Sequence, residues 1–488
     1  MVNSGSDRKT VQINITLLAY LLIYIPVFIF FLTWTKWYIS ILFTVAVSIG
    51  LYRQMKDDNP VKININIKNL LFGLSACVPL LLWLLLCGVG GMTPQTSDYK
   101  KHNYMLKLLT ENNWPVTDHY NNREGKLVYY IGSYILPSLV GKITNSTFLS
   151  DLATLLFCLA ELLIVCILIY KILGLKDKRI IFVILTCMIF FETFVNPVKD
   201  IYVMLFHSAD PSSKLFSDEY CLVFPGNTSQ LLWAYAQVVP AWLCTILFIK
   251  EQKRKEKWGM IIFPLMFYSI FAFVGLFMIC VIAFISDLIA LRRIRSDFRN
   301  LFSIANISSI LIGSLLTIYY SGTLLQSKPA EAHLEPKIIN HLLDPKALIF
   351  FIISWAIWWG ICMIKEKDRT LLLSTFLSMV AISFVLIGKN NDFVDRACIP
   401  MLFIICFYVI KIIVNQKSIY KIILICLVIF AGLPEIIFAC SNLNGRLSSE
   451  NRQKPYDSLN EYIDDDGVII EYQYYCWEDC SIIPIIRD

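Results

Sequence analysis

The chain has 488 residues, of which 57% are apolar and only 16% charged, against about 25% charged in an ordinary soluble domain. Its formal net charge of +6 does not point to nucleic acid, because most Lys and Arg sit in short loops between apolar blocks, as in loops that flank membrane spans. The blocks run to about 20 residues, the length a helix needs to cross a bilayer core roughly 30 Å thick. Open strands are excluded in lipid, and the alternating segments of about 10 residues that mark a barrel are absent.

In chain order the expected spans are 14–34, 37–52, 70–90, 148–172, 180–196, 229–249, 259–273, 275–291, 301–319, 347–364, 371–388, 398–415 and 421–439, about thirteen crossings. The first block is too long for a signal peptide and reads as a retained span. The expected fold is all-α: a polytopic helical membrane protein with a two-span segment 1–69, a transmembrane core 70–440 and a short tail 441–488. The pair within 259–291 reads either as one long span or as two short ones broken near Pro264 and Gly275. Two spans place the basic runs KEQKRKEK and RRIRSDFR on one side, as the positive-inside rule prefers. The N-terminus is then cytoplasmic and the C-terminus extracytoplasmic. The long polar stretches 91–147, 196–228, 320–346 and 389–396 and the tail, with all five His, share the outer side, where loops on a rigid scaffold carry chemistry. No internal repeat of the kind common in transporters is present.

The loop 91–147 contains a helix expected from Ser97, with Ser97 as N-cap and Asp98 in the first turn, where a carboxylate is favoured. Tyr104, Met105, Leu108 and Leu109 form an apolar face suited to the bilayer interface. Asp98, Lys101 and His102 fall together at i, i+3 and i+4. Trp114–Pro115 ends the helix, and KLVYYIGSYILPSLVGK, interrupted by Gly132 and Pro137, reads as re-entrant or surface-lying. Asp98 has two readings: a general base or metal ligand at the membrane surface, or a residue that only favours the helix N-terminus.

Further on, Glu161 lies deep in an apolar block, whereas Glu192, Asp287 and Glu435 fall near span ends, within reach of the interface. An intramembrane charge suggests function by default, although a buried structural hydrogen bond explains Glu161 equally. PGNTSQLLWAYAQVVPAWL opens the sixth span and combines Gln237 and Pro240 with Trp233, Tyr235 and Trp242. Its aromatics read as an interface belt, or as a stacking platform for a sugar ring. In GKNNDFVDRACIPMLF, Asp392, Asp395 and Arg396 stand at the mouth of a span. Arg396 either holds a phosphate by bidentate hydrogen bonds or anchors the helix end by pairing with a neighbouring Asp. Most Cys lie inside apolar blocks as small hydrophobes, while Cys476 and Cys480 in the tail are either a disulfide or two thiols.

The run CGVGGMTPQTSDYKKHNYMLKLLTENNWPV, then GKLVYYIGSYILPSLVGK, and later Asn391, Asp392, Phe393, Arg396, Ala397, Ile399 and Pro400 resemble the motifs of a group of uncharacterised bacterial multi-pass membrane proteins. The layout is similar to the GT-C superfamily of glycosyltransferases over roughly residues 70–400. The resemblance implies a polyprenyl-phosphate sugar donor, an extracytoplasmic acceptor and an essential acid in the first large loop of a bacterial cytoplasmic membrane protein. Asp98 matches that acid, and Lys101, His102, Asn103, Tyr129, Gln237, Asp392 and Arg396 are the expected substrate contacts. A divalent cation, if one is used, would sit at Asp98. The chain departs from the pattern in having no acidic partner beside Asp98, in the two spans before the loop, and in Gln237, where the group carries a His. The expectation is therefore transfer of a sugar to a cell-envelope acceptor. The alternatives are a transporter or flippase of lipid-linked saccharides with Glu161 in its path, or a polysaccharide polymerase or ligase.

Overall fold

The computed structural model describes residues 12–56, 59–64, 66–120, 123–195, 197–198, 222, 224–291, 299–324, 337–339, 344–387, 391–446, 474–476 and 485–487. The expectations for the arginines 292–295, most of the loop 196–228, the side chain of His119, three of the other His and Cys480 lie outside the described residues.

Among the described residues the helices, in chain order, are α1 (Ile15–Trp34), α2 (Trp37–Lys56), α3 (Ile67–Leu86), α4 (Tyr99–Glu111), α5 (Gly132–Thr144), α6 (Thr147–Ile172), α7 (Ile180–Phe190) and α8 (Asn227–Glu251). They continue with α9 (Gly259–Ile262), α10 (Ile270–Leu291), α11 (Ile304–Leu324), α12 (Pro345–Phe351), α13 (Ile357–Lys365), α14 (Thr370–Ile382), α15 (Asp392–Ala397), α16 (Ile399–Asn415) and α17 (Ser418–Arg446). Eight helices are long and apolar enough to cross a membrane, and four shorter ones are apolar. Asn14, Asn66 and Ser146 cap α1, α3 and α6 by accepting from Leu17, Asn69 and Leu149, so first-turn amides that a helix leaves open are satisfied.

α8 lies at the centre, with 89% of its apolar window buried, against 28% for α2 and for α17 at the rim. The rim exposes Ile41, Leu42, Val45, Leu71, Leu74 and Val78, an apolar surface that a bilayer covers and water does not. The protein is thus a polytopic helical membrane protein.

One end of the bundle is basic. There β1 (Gln12–Asn14) pairs with β2 (Lys62–Asn64), Lys257 donates to the Gln54 carbonyl at 2.7 Å, and Lys255 pairs with Asp287 at 3.0 Å. The chain between these two residues includes the 259–291 pair. The expected span at 259–273 is not a continuous helix: α9 has four residues and runs into a 3₁₀ turn, Phe263–Phe267. At 1.5 and 2.0 Å per residue the arm rises only about 16 Å, too little to cross. Pro264, which has no amide hydrogen, prevents a longer helix. The chain reaches Ser269 and α10 carries it back, so that residues 255 and 287 meet on one face.

The opposite end carries the loops. α4 and α5 have 13 residues each, about 20 Å, and lie against α6 rather than crossing. β3 (Thr117–Tyr120) and β4 (Arg123–Leu127) form a hairpin, and the tail adds a short strand, Tyr475–Cys476, to it, pairing Lys126 with Cys476. Arg487 donates to the carbonyls of Thr35 (2.7 Å) and Leu32 (2.9 Å), closing the end of α1, which has no basic residue of its own in its last turn.

Candidate functional site

The site is built on a defect in α8. Ala234 has φ −146 and ψ 34, a break inside the helix, and Pro240 removes the amide that would bond the Ala236 carbonyl. The freed carbonyls bond side chains from the loop that contains α4 and α5. Thr96 donates to Leu232 O at 2.9 Å, His102 Nε2 lies 3.3 Å from Trp233 O, and Ser133 donates to Ala236 O. Backbone left open inside a membrane bundle must find such partners, and here they fix the loop over the centre of the protein.

His102 is buried, and its Nδ1 lies 2.5 Å from the Tyr134 hydroxyl. A carbonyl only accepts, so Nε2 carries the hydrogen and Nδ1 accepts from Tyr134. Its pKa is lowered to about 4, first by burial. Asp98 and the Trp233 carbonyl act upward, Lys101 and Arg396 downward. His102 is therefore neutral and positions its neighbours; it has no positive charge to offer a phosphate.

Tyr130 feels the same two cations. Burial raises its pKa, with the charges of Arg396 and Lys101 acting against that and Asp392 with it. Its hydroxyl accepts from Gln237 Nε2 at 3.1 Å, and Gln237 Oε1 accepts from Ser269 at 2.9 Å. Tyr129 packs on Tyr130 at 3.8 Å and on Tyr474 of the tail at 4.6 Å between ring centroids.

Asp98 occupies the N-cap position of α4, one residue past the expected Ser97, and its side chain makes no capping bond. Its carboxylate lies 3.8 Å from Lys101 Nζ, each side chain 29% exposed, so both meet solvent. Arg396 is more enclosed. It is ion-paired with Asp395 and stands 3.9 Å from Asp392, whose side chain is 58% exposed. α15, which carries these groups, fits against α10 because Gly275 has no side chain; any Cβ there would overlap the Ala397 carbonyl.

Asp98 and Lys101 are thus side by side on α4 near His102, Arg396 stands within electrostatic reach of His102 and Tyr130, and Gln237 and Tyr129 adjoin Tyr130. Asn103 faces elsewhere, donating at 2.9 Å to Gln95, which holds the Gly88 carbonyl. Of the sixth-span aromatics, Trp242 and Tyr235 are neither belt nor open platform. Trp242 is fully buried and stacks with Trp83, and Tyr235 stacks under Tyr99. Glu192 and Glu435 do not reach the interface, being 4% and 8% exposed. Among the described residues no three His, Cys, Asp or Glu side chains gather as metal ligands, at Asp98 or elsewhere. Sequence reasoning passed over Tyr134, Ser269 and Tyr474; only the YYIGSY pattern marked the first.

Fold and site together define a multi-helix membrane protein with a polar, tyrosine-rich cluster at the end opposite its basic one. The chain matches no protein-family model and no curated protein.

Proposed function

We propose that the protein is a GT-C-like membrane glycosyltransferase that takes a sugar from a polyprenyl-phosphate donor. The observation that carries this reading is that an acid and a cation, Asp98 and Lys101, stand 3.8 Å apart on the helix that carries the buried His102, with Arg396 within electrostatic reach of that ring. The acceptor hydroxyl gives its proton to the Asp98 carboxylate as its oxygen bonds to the anomeric carbon. The bond from that carbon to the phosphate oxygen breaks, and the electron pair leaves with polyprenyl phosphate. Arg396 and Lys101 offset the charge that develops there. His102 and Tyr134 keep the pocket in register, and Tyr129 and Tyr130 offer rings to the sugar. The test is sugar transfer by the purified protein. Asp98→Asn, which keeps size and removes the base, is expected to lower the rate about a hundredfold or more; unchanged transfer removes Asp98 from the mechanism.

One observation favours a transporter instead. Glu161 is 1% exposed and its Oε1 has no hydrogen-bond partner among the described residues, as in a proton-carrying path. In that case Glu161→Gln, not Asp98→Asn, abolishes activity, with the substrate moved across vesicles unchanged.

A further inference from the structure

Where α7 ends and α8 begins, the bundle buries oxygen atoms that the pocket above does not use. The Gly226 amide donates to the Glu192 carboxylate, and the Ser229 hydroxyl bonds Glu435. Two carboxyl groups therefore stand on the first turn of α8. Glu192 lies so close to the backbone that any Cβ on Gly226 would overlap it.

Two amides share this turn, Asn227 at 0% and Gln230 at 2% exposure. Their nitrogens donate to Met188 O at 2.8 Å and Pro225 O at 2.7 Å, which fixes the oxygen ends. Among the described residues Asn227 Oδ1, Gln230 Oε1 and Glu192 Oε2 have no hydrogen-bond partner. Positions 226, 230 and 227 fall within an arc of about 100° on a helix of 3.6 residues per turn, so the Glu192 contact and both amides share one side of α8, with Ser229 and Glu435 at its edge.

Buried polar atoms are nearly always satisfied, and each bare one costs free energy. A proton shared by the two carboxyls would leave both amide oxygens bare. A hard cation satisfies carboxylate and amide oxygens together, and the helix N-terminus offsets only about half a charge of the pair. We propose that Glu192, Glu435, Asn227 and Gln230 form a binding site for a hard cation at the α7–α8–α17 junction.

The test uses the purified full chain, with thermal unfolding in Na+, K+, Mg2+ or Ca2+ chloride against choline chloride at equal ionic strength, followed by direct binding of the radiolabelled ion. One saturable site is expected, with a rise in midpoint that choline does not give. Gln230→Met, which keeps the volume and removes the oxygen, is expected to weaken binding about tenfold or more, and Asp98→Asn to leave it intact. Glu192→Gln is the stronger test if it folds, and Gln230→Met serves if it does not. No saturable binding of any of the four ions, or wild-type binding by Gln230→Met, overturns the site. Because the site is separate from the sugar pocket, either outcome leaves the transferase reading to its own assay.

Discussion

Burial strips the His102 ring of water, and with Lys101 and Arg396 nearby it stays uncharged down to a pH of about 4, against 6.5 when exposed. The unfolded chain takes up this proton first as the pH falls. His102 therefore contributes no pH dependence above about 6.5, and stability declines between about 6.5 and 4 by roughly 3 kcal/mol, then levels off. His102→Gln keeps a hydrogen-bonding side chain but does not titrate. It is expected to flatten that part of the stability curve relative to wild type, as read by thermal midpoints at successive pH values. An equally steep decline in the variant places the titration elsewhere. At this scale the sequence was informative about residue type and silent about partners. Asp98, Lys101 and His102 were visible as neighbours on one helix, but the Tyr134 hydroxyl, 32 positions away, was not.

The element that organises the site is α8. Pro240 opens the Ala236 carbonyl and Ser133 closes it. Ser133→Ala is expected to cost about 1–3 kcal/mol by leaving a buried acceptor bare. In a Pro240→Ala background the helix supplies its own amide, and the same change is expected to cost much less, a coupling that a double-mutant cycle in unfolding measures. Equal costs in both backgrounds would show that the bond does not depend on the proline. Gly275 plays the matching part for α15. Gly275→Val is expected to push Ala397 away, destabilise by about 1–3 kcal/mol and loosen the Arg396 turn, whereas an unchanged midpoint would show that the contact yields freely. Pro240 and Gln237 stood out in the sequence, but their use did not, because the side chain that answers Pro240 lies 103 residues before the Ala236 carbonyl it bonds. The arm at 259–267 was misjudged for a different reason. Hydropathy registers the length of an apolar run, not whether Pro264 lets it stay one helix.

For the molecule as a whole, composition was enough to show a bundle of membrane helices, since lipid leaves the backbone few alternatives. The packing order was not legible in it, and neither was the role of the tail. Tyr474 reaches Tyr129, and Arg487 fastens the last described residues to α1, so the tail braces the pocket from a distance in sequence that no local pattern reveals. The central claim is that Asp98 on α4 and Arg396 on α15 serve one pocket that takes a lipid phosphate. The most direct measurement is equilibrium binding of polyprenyl phosphate to the purified protein and two variants. Arg396→Ala is expected to weaken binding about tenfold or more, the loss of a charge-assisted phosphate contact, while Asp98→Asn binds as well as wild type or better. Binding that is indifferent to Arg396, or lost with Asp98 alone, would contradict the account.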